Sequence, residues 1–245
     1  MVYCISDIRG DYDKFMEMFC KINLKRADTL YLLGNIIDGK DGMKLLLDLM
    51  MRDNVYPIIG THEYAALKCL SWLAEHPNPD ELSGIDPDTM QKMADWISIG
   101  GQETIAQFRK LTDEEREMII DYLSDFSLYE EVSAEGKDFV LVHAGINNFD
   151  PEKELDDYDI YELISESPDF SKTYFENKYL VSGHTPTRRI YEEDNPLIDP
   201  MPEGEPSKYD KVFIKNNHIA INCGADIGGR LAAVRLDDMK EFYVD

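Results

Sequence analysis

The sequence predicts an α/β fold built in layers, and three observations predict it. Short apolar runs alternate with helical patterns through the first half. The second half is mostly strand-like, and several apolar runs end in glycine beside a polar or titratable residue. Strands that end this way are typical of open α/β sheets, whose carboxyl ends converge on one crevice.

The elements follow in order. In "YCISDIRGDYDKF" (3–15), Tyr3, Cys4 and Ile5 form a strand that delivers Ser6 and Asp7 to its end. Gly10 lets the chain turn, and a helix begins after Asp11 with Phe15, Met18, Phe19 and Ile22 on one apolar face. "TLYLLGN" (29–35) is the next strand, and "GMKLLLDLMMR" the next helix, with Met43, Leu46, Leu47 and Met50 as its face. "VYPIIGTHE" (55–63) leads into a helical middle over roughly 63–125, where Thr112 and Glu115 form a capping box. "FVLVHAG" (139–145), "YLVSGHT" (179–185) and "IAINCGAD" (219–226) are later strands. The segments 75–88 and 192–210 are rich in Pro, Gly and acids and predict exposed loops. Neither separates two independent cores, so the expectation is one domain over 1–245 with a helical insertion at roughly 63–125. The acidic segment 150–166 predicts a solvated surface.

A formal net charge of −24 excludes a general nucleic-acid binder, which needs a basic face, and disfavours anionic membranes. No apolar run reaches the ~18 residues of a membrane span, and the N-terminus has no leader pattern. The cysteines Cys4, Cys20, Cys69 and Cys223 are scattered without a CxxC pair, which predicts buried reduced thiols in a cytoplasmic protein.

His76 and His218 lie in turn-like contexts and carry no signal. His62, His143 and His184 each stand beyond an apolar run beside a glycine. With Asp7 they make a set of imidazole and carboxylate groups suited to a divalent transition metal.

Taken together, "SDIRG", "LGNIIDG", "GTHE", "VHAG" and "SGHTP" resemble the PPP-type serine/threonine phosphatases of the calcineurin-like metallophosphoesterase superfamily. The likeness is strongest to small bacterial and phage members, which include symmetrical diadenosine-tetraphosphate hydrolases. It implies a sandwich of two mixed β-sheets flanked by helices, ending in "INCGADIGGRLAAVRLDD" (221–238), and a two-metal centre. By resemblance, Asp7, Asn35, His143 and His184 stand at metal-ligand positions, and His62, Glu63 and Asp38 at the general acid and its neighbours. Three positions are altered. Arg9 replaces a histidine ligand, Asn35 the bridging aspartate and Thr61 the asparagine ligand. One phosphate-clamping arginine is deleted before Gly39, and Ser165 and Ser167 stand where a second is found.

Two ions ~3.5–4 Å apart repel by on the order of 20 kcal/mol at an effective dielectric near 20, and an anionic bridge offsets this. Asn35 supplies no charge and Arg9 adds a positive one, so a two-metal centre is disfavoured. The expectation is no ion, or one of Mn, Fe or Zn. For Arg9 the sequence favours an ion pair with Asp7 over an anion-receptor role. Three functional readings stay open. The first is a pseudophosphatase or impaired phosphatase that binds a phosphorylated ligand or a protein partner. The second is an active phosphoesterase for phosphoproteins, phosphomonoesters or dinucleoside polyphosphates, using one ion or recruiting Asp38, Glu63 or Asp226. The third is a scaffold that binds a partner through its acidic loops.

Overall fold

The computed structural model describes residues 1–76, 85–195, 197 and 204–245. Two five-stranded mixed sheets form its centre. The first contains β1 (Val2–Ile5), β2 (Thr29–Leu32), β3 (Val55–Pro57), β9 (Leu231–Arg235) and β10 (Lys240–Val244), in the order β10-β9-β1-β2-β3. The second contains β4 (Tyr129–Ala134), β5 (Lys137–Val142), β6 (Lys178–Ser182), β7 (Phe213–Lys215) and β8 (His218–Ala220), in the order β4-β5-β6-β8-β7. β1 runs parallel to β2, and β2 to β3; β5, β6 and β8 are likewise parallel. Their carboxyl ends therefore open on shared edges.

The period-two alternation of strand side chains makes two cores. Tyr3 and Ile5 of β1, with Val140 and Val142 of β5, join the large core that helices cover. Cys4, Phe139, Leu141, Val181, Ala232 and Val234 point the other way and fill the layer between the sheets. This is the expected sandwich.

The helices α1 (Tyr12–Ile22), α2 (Gly42–Leu49), α3 (Thr61–Glu75), α4 (Pro87–Trp96), α5 (Gln102–Phe108) and α6 (Asp113–Ser124) precede β4, and a π turn over Ile97–Gly101 links α4 to α5. In α1, Phe15, Met18 and Ile22 are buried, and Asp11 caps the start by accepting from the Lys14 N–H at 3.1 Å. The α6 capping box forms as expected, with the Glu115 N–H donating to Thr112 Oγ1 at 3.2 Å and the Thr112 N–H to Glu115 Oε2 at 2.8 Å. In α2 the buried face shifts to Met43, Leu45, Leu46 and Leu49, because the helix packs against both α1 and α5 and stops before Met50.

The acidic segment is not wholly solvated. It contains α7 (Ile160–Ile164), which is capped by Asp159 and buries Leu163 and Ile164. α8 (Thr187–Asp194) follows β6. The expected loops at 75–88 and 192–210 fall partly outside the described residues. The "KNNHI" turn is a tight hairpin between β7 and β8, with Asn216 and Asn217 both at positive φ. Cys4, Cys69 and Cys223 are buried thiols, whereas Cys20 is exposed. Among the described residues no helix is long and apolar enough to cross a membrane.

Candidate functional site

The site lies where the carboxyl ends of β1, β2, β3, β5 and β6 meet. Backbone bonds tie neighbouring ends within each sheet. The Asp7 N–H donates to the Gly34 carbonyl at 3.1 Å, and the Gly183 N–H to that of His143 at 2.8 Å. Gly183 is required here, since a Cβ on it would lie 1.6 Å from Ser6 Oγ. Gly34 combines a φ of +75° with close neighbours, a Cβ there falling 2.7 Å from Gly60 and His143 Nδ1.

Five non-glycine residues of this cluster sit in the left-handed region: Asp7 (φ 54°), Arg9 (52°), Asn35 (52°), Asp38 (68°) and His184 (60°). Each such conformation costs about 1–3 kcal/mol and persists only where surrounding contacts enforce it. Their concentration at one edge marks a place where side-chain position overrides backbone preference.

Asp7 is almost fully enclosed. Its Oδ1 accepts from Asn35 Nδ2 at 2.9 Å, and its Oδ2 from the His184 N–H at 2.9 Å and from the Ser6 hydroxyl. Burial raises its pKa against the downward pull of these donors. The expected Arg9–Asp7 pair is therefore not formed, because Asp7 has spent its acceptors on nearer groups. Arg9 turns instead toward Asp226, with Nε 3.5 Å from Oδ2, and donates to the Ile99 carbonyl at 3.1 Å and to His62 Nε2. Its buried Nε has no hydrogen-bond partner.

His62 and Glu63 open α3 and do different work. His62 Nδ1 lies 2.5 Å from Asp38 Oδ2. Asp38 is itself held by Trp96 Nε1–H at 2.6 Å and by the Thr104 hydroxyl at 2.5 Å. Glu63 points into the protein. It is fully buried and accepts from the backbone N–H groups of Asn35 (2.8 Å), Ile36 (2.7 Å), Ile37 (3.1 Å) and Gly60 (3.0 Å). Burial raises its pKa against those donors. These four bonds tie the carboxylate, expected beside the general acid, to the backbone of the "GNIID" loop and of Gly60.

His143 is wholly buried, and its Nδ1–H donates to the Leu33 carbonyl at 2.7 Å. Its Nε2 stands 3.2 Å from His184 Nδ1. Burial, and then the neighbouring His184, push the His143 pKa well below 6.5; burial also lowers that of His184. Two neutral imidazole nitrogens at this separation can both reach one ion at the usual ~2.0–2.1 Å.

The remaining donors do not complete a second site. Asn35 Oδ1 accepts from Thr61 Oγ1 at 3.1 Å and from the His62 N–H at 3.2 Å. Asp38, Glu63 and Asp226 are committed to His62, to backbone and to Arg9. Among the described residues no group of three or more His, Cys, Asp or Glu is gathered to hold a metal. His143 Nε2 and His184 Nδ1 are the pair that would hold a divalent ion, with water or substrate completing its shell.

Ser167 Oγ bonds Thr185 Oγ1, and Ser165 Oγ the Tyr161 carbonyl, so neither supplies the cationic grip of an arginine. Trp96 and Thr104 carried no sequence signal. They come from helices 58 and 66 residues beyond the aspartate they hold.

The chain is 25% identical over 148 residues to the symmetrical bis(5'-nucleosyl)-tetraphosphatase of Acidovorax sp. (strain JS42), covering 59% of this chain and 44% of that one. It is 25% identical over 100 residues to the enzyme of the same name from Nitrosospira multiformis, covering 39% and 36%. The matches thus span less than half the length of these curated relatives. In fold, it is similar over 99% of its length to 92% of a solved chain described as "a putative diadenosine tetraphosphatase" (TM-score 0.62, 17% identity). It also covers 87% of a metallophosphoesterase from Sphaerobacter thermophilus (TM-score 0.51, 16% identity). The two curated relatives and the first of these solved chains carry a tetraphosphatase name, and none of the four carries that of a serine/threonine phosphatase. A family model described as calcineurin-like phosphoesterase matches residues 1–200, and the chain belongs to that family.

Proposed function

We propose that the protein is a weakened metal-dependent phosphoesterase that hydrolyses dinucleoside polyphosphates. The observation that carries this reading is the pair His62 and Asp38, with His62 Nδ1 at 2.5 Å from a doubly held Asp38 carboxylate. The names of the relatives supply the substrate class.

In this reading the phosphate chain draws Arg9 off His62 Nε2. The guanidinium, whose Nε lacks a hydrogen-bond partner, then donates to phosphoryl oxygens. The freed Nε2 takes up a proton and gives it to the leaving oxygen. Asp38 fixes the imidazole tautomer and stabilises its charged form, as Trp96 and Thr104 hold Asp38 in place. A divalent ion on His143 and His184 would supply positive charge and a water of lowered pKa. Asp7 holds the His184 backbone through Oδ2.

A second reading, ligand binding without turnover, is favoured by the same Arg9 contact. While the guanidinium donates to Nε2, that nitrogen cannot carry the proton a leaving group needs. The test is hydrolysis of diadenosine tetraphosphate with added Mn²⁺, followed by product analysis. The proposal expects turnover that His62→Ala lowers by about 10²–10⁴-fold. Tight binding without turnover selects the second reading.

A further inference from the structure

Beside the phosphate site lies a cavity of about 380 Å³, within the usual range for small-molecule sites. It is continuous with that site through shared residues. Thr61 lines it and bonds Asn35 at 3.1 Å; Ile99 lines it while its carbonyl receives Arg9 at 3.1 Å. Trp96 forms part of its wall while its Nε1–H holds Asp38.

Its lining is aromatic, with Lys68, Lys92 and Asp95 as its charged groups. Tyr64 and Tyr161 meet edge to face with ring centres 5.3 Å apart, and Lys68 Nζ lies 4.7 Å from the Tyr64 ring centre. Lys92 lines the same cavity. Tyr161 and Ile99 are 52% and 47% exposed, large apolar groups open to solvent at its mouth. Lys92 is ion-paired with Asp88, which leaves Lys68 as the cation at the Tyr64 ring.

The geometry points to a nucleoside subsite, in which a nucleobase packs against Tyr64 and Tyr161 while its 5'-phosphate extends toward Arg9 and His62. A base has a flat face for such rings and a polar edge, and stacking on an aromatic side chain is tolerant of base identity. The subsite rests on the proposed reading only for the direction in which the phosphates run. Tyr161 contributes to specificity and touches no reacting atom.

The test is calorimetric titration of the full chain with adenosine, AMP, inorganic phosphate and N-acetyl-tyrosinamide, repeated on Tyr161→Ala and Tyr161→Phe. Because Tyr161 is half exposed, both variants are expected to fold, and thermal melting verifies it. AMP is expected to bind at least about tenfold more tightly than phosphate. Tyr161→Ala should erase that margin without changing phosphate affinity, and Tyr161→Phe should keep it. Equal affinity for AMP and phosphate in the wild type overturns the subsite and leaves the phosphate reading standing. Preference for N-acetyl-tyrosinamide over adenosine overturns it in favour of a peptide. Tyr161-dependent adenosine binding with no phosphate binding upholds the subsite and removes the hydrolase reading.

Discussion

Arg9 stands guanidinium to imidazole against His62, on Nε2, the nitrogen opposite the one bonded to Asp38. Arg9 thus covers the outer nitrogen of the imidazole proposed as the proton donor. Its other contacts, a 3.5 Å ion pair with Asp226 and a bond to the Ile99 carbonyl, leave its charge only partly satisfied. The arrangement suits an anion that takes Arg9 away and frees His62 in the same movement.

Arg9→Gln should therefore weaken inorganic phosphate binding. Loss of charge-assisted bonds worth about 1.5–3 kcal/mol corresponds to roughly 10–150-fold in affinity. Calorimetric titration reads it directly. Unchanged affinity would place the anion elsewhere.

Glu63→Ala should unfold the motif loops. It leaves four buried N–H donors without an acceptor, at about 1–3 kcal/mol for each group left unpaired. Even with partial relaxation the expected loss is about 3 kcal/mol or more, read as a fall in denaturant midpoint. A loss under 1 kcal/mol would mean that the loop does not depend on this carboxylate.

Much of the fold was legible because the motif strands carry their own punctuation. Apolar runs, terminal glycines and the Thr112–Glu115 box are local signals, and each describes a structure that forms locally. The site was legible as a set of residues but not as a network. Asp7 and Arg9 are two positions apart, and charge alone suggests that they pair. What decides otherwise is the left-handed backbone at both residues and the donors Ser6, Asn35 and His184 already on Asp7. The Asp38 clamps Trp96 and Thr104 come from distant segments without a motif, and Asp226, read in the sequence only as a substitute ligand, pairs with Arg9 instead; only the tertiary fold brings these groups together.

His218 gives a pH signature outside the site. It is buried, its Nε2–H donates to the Lys172 carbonyl at 2.9 Å, and its buried Nδ1 has no partner. Burial lowers its pKa below 6.5, so the unfolded chain binds the proton first. Its contribution is present above about 6.5 and is lost as pH falls below that value toward the folded pKa. Melting curves from pH 7.5 to 5 should show a smaller acid-side loss in His218→Phe than in the wild type. Parallel curves would remove His218 as a source of that loss.

The most direct test of the central claim, one metal position surviving on His143 and His184, is metal content per chain after manganese loading and desalting, read by inductively coupled plasma mass spectrometry. The account predicts one ion, lost in His143→Ala, and a second gained when Arg9→His and Asn35→Asp are combined. Two ions on the wild type, or none, would contradict it.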